Sequence, residues 1–126
     1  MLSRRIIRVK ALQVLFSSEI GKDISPVKIE KNLLDSIKEA QNLYHIYLLY
    51  LVEISNYALV YDAKQEGKML ASNKDENSSI ALSQNKIIRL LGDTKDFNDY
   101  VNFHKLSGFI NKKIVRSLFE DLIKRE

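Results

Sequence analysis

An all-α fold is predicted, on three observations. One proline and four glycines in 126 residues leave few turn formers for a sheet. Apolar residues recur at spacings of three and four along most of the chain. Several of these runs open on Ser, Thr, Asp or Asn, the residues that accept hydrogen bonds from free helix N–H groups. The length suits one domain, read as residues 1–126, and 45% apolar against 29% charged residues can bury one core. The expectation is a bundle of about five to six helices, with a long heptad-patterned second helix.

The first helix is expected from about Arg4 to Ser18, with Ser3 as its N-cap. Ile7, Ala11 and Val14 fall on one side of it. Val9, Leu12 and Phe16 fall on the opposite side. A helix apolar on both sides is expected to be central, packed between neighbours. Gly21-Lys22-Asp23 breaks the chain, and Ser25-Pro26 supplies a cap followed by proline at the first helical position.

The next pattern is the most regular. Leu33, Ile37, Ala40, Tyr44, Tyr47, Leu51, Ile54, Ala58 and Tyr61 alternate spacings of four and three, a heptad seam that implies close helix packing. One helix from about Val27 to Leu70, or two divided near Gln41-Asn42, would satisfy it equally. Within it, LYHIYLLYLV (Leu43 to Val52) is the most apolar stretch. It reaches about half of the roughly 20 residues a membrane span needs, so it is read as a buried helix segment and no membrane partner is expected.

Ala71 to Ser79 is polar and reads as a loop. A short helix is expected from Ala81 to Leu91, ending at Gly92. Asp93 or Thr94 then caps another, Lys95 to Phe103, and Ser107-Gly108 breaks the chain again. Asn111 caps the last helix, whose Ile114, Val115, Leu118, Phe119, Leu122 and Ile123 form an apolar stripe. Its strength predicts an exposed apolar surface and self-association.

No catalytic constellation emerges. There is no cysteine, which removes thiolate nucleophiles, disulfides and Cys-ligated zinc, and a cytoplasmic location is the expectation. No Gly-rich phosphate loop or Gly-x-Ser-x-Gly elbow occurs. His45 and His104 lie among apolar residues and read as partly buried structural histidines. Asp93, Asp96 and Asp99 recur every third residue, but a calcium loop starting at Asp93 would need glycine and glutamate where Asn98 and His104 stand. Acids opening a helix explain them better. Tyr44, Tyr47, Tyr50, Tyr57 and Tyr61 lie on or beside the seam, with no basic residue between Leu43 and Ala63, which favours packing over base stacking. No enzyme activity, cofactor or metal is expected.

The charge distribution is the functional signal. Net charge is +4, yet Arg4, Arg5, Arg8 and Lys10 all precede the first acid, Glu19. From Glu19 onward, sixteen basic residues balance sixteen acidic ones. The excess therefore sits on the first turns of the first helix. A helix N-terminus carries roughly half a positive charge, so cations there cost about 0.3–1 kcal/mol each. Guanidinium groups kept in that position point to phosphate contact, since they bind phosphate bidentately.

The stretch Arg4-Arg5-x-x-Arg8-x-x-Ala11-Leu12-Gln13-Val14-Leu15-Phe16-Ser17 resembles the opening of NusB, the bacterial transcription antitermination family. There an arginine-rich start runs into a helix of the form Ala-hydrophobic-Gln-x-Leu-aromatic. Phe109-Ile110-Asn111 echoes the family's closing helix, with Lys112 standing where the family has glycine. The resemblance implies an all-α bundle that binds a boxA RNA element with a small ribosomal protein, NusE, within antitermination complexes. It implies RNA contact at Arg4, Arg5 and Arg8. Lys10 joins them by charge, and Gln13 by the motif. The layout resembles the N-terminal portion of an elongated NusB form. A related domain presents RNA in some rRNA cytosine methyltransferases, which would make this chain their non-catalytic part. A helical protein-interaction module, with incidental basic residues, is the expectation from a different class.

Overall fold

A computed structural model describes residues 2–21, 25–66 and 81–124. Among them the regular structure is entirely helical. Helix α1 spans Arg4–Ile20, α2 Pro26–Glu66, α3 Lys86–Asp93, α4 Lys95–Phe103 and α5 Lys112–Lys124, with a 3-10 turn at Leu106–Phe109 between the last two. The all-α expectation holds. The polar segment Ala71 to Ser79, the chain after Gly21 through residue 24, and the last two residues lie outside the described residues.

Local chemistry accounts for the helix ends. Ser3 adopts an extended conformation and its Oγ accepts from the Ile6 N–H at 3.4 Å, as its N-cap role requires. At the other end of α1, the Gly21 N–H donates to the Ser17 carbonyl at 3.1 Å. The Ser25 carbonyl receives the first amides of α2, from Lys28 and Ile29. Helix α2 is continuous through Gln41 and Asn42, so a single helix of 41 residues satisfies the heptad pattern. Asn111 Oδ1 accepts from the Lys113 N–H at 2.9 Å and starts α5.

Two boundaries differ from the sequence pattern. The short helix expected from Ala81 to Leu91 is divided: residues 81–83 are helical, and α3 starts afresh at Lys86, where Asn85 Oδ1 accepts from the Ile87 and Ile88 N–H groups. It also runs through Gly92 to Asp93. Ala added at Gly92 would bring its Cβ within 3.3 Å of Val52 Cγ1, so the glycine is explained by close approach to α2. The break expected at Ser107-Gly108 occurs instead at Lys105, whose φ of 53° is left-handed. Gly108 lies in the 3-10 turn and has no positive φ.

The chain divides into two compact units, residues 1–44 and 45–126. The first holds α1 and the N-terminal part of α2. Ala11, Val14 and Ser18 are half-buried along one side of α1, as are Leu33, Ile37 and Ala40 of α2. No residue of α1 is fully buried. The expectation of a central first helix is therefore corrected: Val9, Leu12 and Phe16, expected in the core, are exposed.

The second unit holds the core, in two clusters around the remainder of α2. Leu49 packs with Phe97, Val101 and Leu106, joined by Ile46, Val52 and Tyr100. Ile54 and Ala58 pack with Val115 and Phe119, joined by Tyr57, Tyr61 and Leu82. Centrality thus belongs to this part of α2, which buries apolar residues against α4 and α5. Phe119 is fully buried, with Tyr57 edge-on and Tyr61 tilted, both at ring-centroid distances of 5.1 Å.

The heptad seam is only partly a packing seam. Ile54 and Ala58 are buried, but Tyr44, Tyr47 and Leu51 are exposed, while Leu49, off the seam, is buried. The reading of Leu43 to Val52 as a buried segment is corrected accordingly, since Leu43 is exposed as well. By length and composition alone α2 could cross a membrane, with a mean hydropathy of 1.2 over its most apolar window. The core helix of a soluble protein passes the same test.

Tyr50 ties α2 to the turn before α5. Its hydroxyl donates to the Phe109 carbonyl and accepts from the Asn111 N–H, both at 3.2 Å. Tyr50→Phe removes both bonds while leaving the ring in place. It is expected to cost about 1 kcal/mol, read as a lower urea midpoint with an unchanged slope. An unchanged midpoint would mean that water replaces the hydroxyl without loss.

Candidate nucleic-acid interface

The basic start of α1 is displayed on the surface. Arg4, Arg5 and Arg8 are all exposed. Arg8 lies four residues from Arg4 and three from Arg5, the spacings at which helical side chains are neighbours. The three guanidinium groups therefore share one end of the helix. Lys10 is half-buried and, two residues beyond Arg8, does not share its side. Gln13 is exposed, on the side of Val9 and more than one turn past Arg8. The structure groups the three arginines and leaves Lys10 and Gln13 at the margin.

The electrostatics run against the helix. No acid occupies the first turn of α1 and no base its last turn. An ion pair joins Arg116 to Glu120 at 2.7 Å, one turn apart on α5. Their hydrogen bond holds the Glu120 carboxyl below its usual range and raises the guanidinium. Glu19 does not pair with the α1 arginines.

The other candidates fall to packing. The His45 ring stacks on Tyr100 at 3.9 Å, and Tyr100 in turn meets His104 at 4.4 Å. Both histidines are half-buried in this aromatic row, consistent with structural roles. Burial pushes the Tyr100 phenol up from its usual range. Among the described residues no three His, Asp or Glu side chains assemble into a metal-binding group. Asp96 stands in the first turn of α4, where the dipole favours it. Tyr50, Tyr57 and Tyr61 join the core, whereas Tyr44 and Tyr47 are exposed.

Two further surface features stand outside the residues expected at the interface. A groove of about 650 Å³ between α2 and α3 is lined by Val52, Asn56, Leu59, Lys86 and Arg89. Its signal was the pair of cations just after Asn85. The second feature is the stripe Val9, Leu12, Phe16 and Ile20 on α1, with Leu12 68%, Phe16 71% and Ile20 67% exposed. Its apolar pattern was visible in the sequence, but pointed there to a core. No family model, curated protein or solved structure matches the chain.

Proposed function

We propose that this protein is a non-enzymatic RNA-binding adaptor that contacts phosphates through the N-terminal end of α1. The observation that carries the reading is the trio Arg4, Arg5 and Arg8, exposed together on the first two turns against the helix dipole and without an acidic partner among the described residues. Such placement lowers helix stability and raises affinity for a polyanion. The resemblance of Arg4 to Ser17 to the NusB opening supports the same reading. It extends the proposal to boxA-type RNA, to the ribosomal protein NusE and the antitermination complex as partners, and to the cytoplasm. The same surface would serve equally as the RNA-presenting part of an rRNA cytosine methyltransferase.

Filter binding to boxA-like and scrambled RNA over a salt series tests the proposal. Three phosphate contacts on single-stranded RNA predict a slope of log affinity against log salt of about −2, from roughly 0.7 per contact. Each arginine replaced singly by Ala should flatten that slope by about 0.7 and weaken binding to both RNAs alike. Affinity that is absent, or indifferent to salt, sinks the reading. Preference for the boxA-like RNA separates the antitermination role from general RNA presentation.

A further inference from the structure

We infer that α1 is a self-association surface, pairing antiparallel with α1 of a second copy of this chain. Three observations lead there. The first is the exposed stripe Val9, Leu12, Phe16 and Ile20, which follows helical spacing from the second turn of α1 to its end and lies opposite the half-buried side made by Ala11, Val14 and Ser18. Large apolar side chains scattered singly on a surface are ordinary, but four in one row along a helix are not.

The second observation is the charge at both ends of this row. Arg5 and Phe16, Arg8 and Glu19, and Val9 and Ile20 are each eleven residues apart, close to three full turns. Arg5 therefore lies in line with the stripe, and Arg8 and Glu19 share its flank. The helix begins with cations and carries an acid near its end, so both ends oppose its own dipole. An antiparallel copy reverses this at each end. It brings the acid of one helix to the cations of the other.

The third observation is that both requirements are met in one alignment. When Val9 of one copy faces Phe16 of the other, Leu12 lies at the two-fold axis and Ile20 faces the stem of Arg5. Glu19 then stands level with position 6, between Arg5 and Arg8 of the opposite helix. The stripe is buried and the charges are paired in a closed, isologous contact that needs no other surface. A parallel pairing would place the arginines against each other. A helix of 17 residues offers a contact only about 25 Å long, so the dimer is a weak one, in the micromolar range or above.

The inference does not rest on RNA binding, although the two share Arg5 and Arg8. Sedimentation of the full chain over a concentration series tests it. A monomer–dimer equilibrium weakened by salt is expected. Leu12→Glu and Phe16→Glu should each give a monomer with unchanged circular dichroism, both sites being exposed, and should still bind RNA in the salt series. Arg8→Glu and Glu19→Arg should each weaken the dimer by about tenfold or more, and the double variant should recover it. A wild-type chain that stays monomeric up to about 1 mM overturns the inference. So does a dimer that survives Leu12→Glu and Phe16→Glu but dissociates in Leu118→Glu, on the half-exposed stripe of α5. Failure of the charge swap to rescue would refute the antiparallel alignment itself.

Discussion

A variant carrying Arg4→Glu, Arg5→Glu and Arg8→Glu is expected to keep its fold and lose RNA. On the stability side, Arg4 and Arg5 occupy the first two positions after the Ser3 cap, so an acid at each should gain about 0.3–1 kcal/mol. Arg8 lies beyond the first turn, where the dipole has faded. Within one chain no described acid loses an ion pair, because none is formed with these side chains, and melts at concentrations that keep the chain monomeric leave any pairing between copies out. The net change in melting temperature should be zero or slightly upward. On the binding side, three exposed contacts at about 1 kcal/mol each, with tenfold per 1.4 kcal/mol, amount to roughly a hundredfold. Charge reversal adds repulsion to that loss. Thermal melts and filter binding on the same preparation decide the matter. A variant that melts clearly lower while holding wild-type affinity would show that the arginines are structural.

Phe119→Ala is expected to be the most damaging single substitution in the second unit. Phe119 is fully buried and its ring meets Tyr57 and Tyr61 as well as Ile54, Ala58 and Val115. Removing a buried phenyl ring costs about 3–5 kcal/mol, through lost transfer energy and the cavity left behind. Against a typical stability of about 5–15 kcal/mol this is a large fraction, with a melting shift on the order of 15 °C. Ile114→Ala on the same helix should cost under about 1 kcal/mol, since Ile114 is 47% exposed. Comparable melting of the two variants would show that α5 is not held through Phe119. The comparison also tests the division of α5 into a buried row and an exposed one, which its apolar stripe alone does not reveal.

The helices were legible to the extent that their signals are local. Ser3 and Asn111 announce the starts of α1 and α5 because a capping side chain bonds amides two or three residues ahead. Asn85 carries the same signal, followed at once by Lys86-Ile87-Ile88, and reading it as a cap would have placed the start of α3 correctly. The backbone turn at Lys105 was not legible. A lysine has no intrinsic preference for the left-handed region, and the glycine that does, Gly108, stands three residues later. Of the candidate interface, the arginine trio followed directly from charge and helical spacing. The half-burial of Lys10 did not, since it depends on what lies beside that side of α1.

By itself the sequence determined that the chain is helical, where most helices begin, and that its excess positive charge is gathered on the first turns of one of them. These are consequences of bonding and charge within a few residues. Only the tertiary structure decided which apolar faces are covered. Val9, Leu12 and Phe16 have the period of a core face and are exposed, while Ile54 and Ala58, on a seam of the same quality, are buried by Val115 and Phe119 from a helix more than fifty residues away. Periodicity tells which side chains share a face. Burial needs a second element to arrive on that face, and its arrival depends on contacts distant in the chain, which no local pattern encodes.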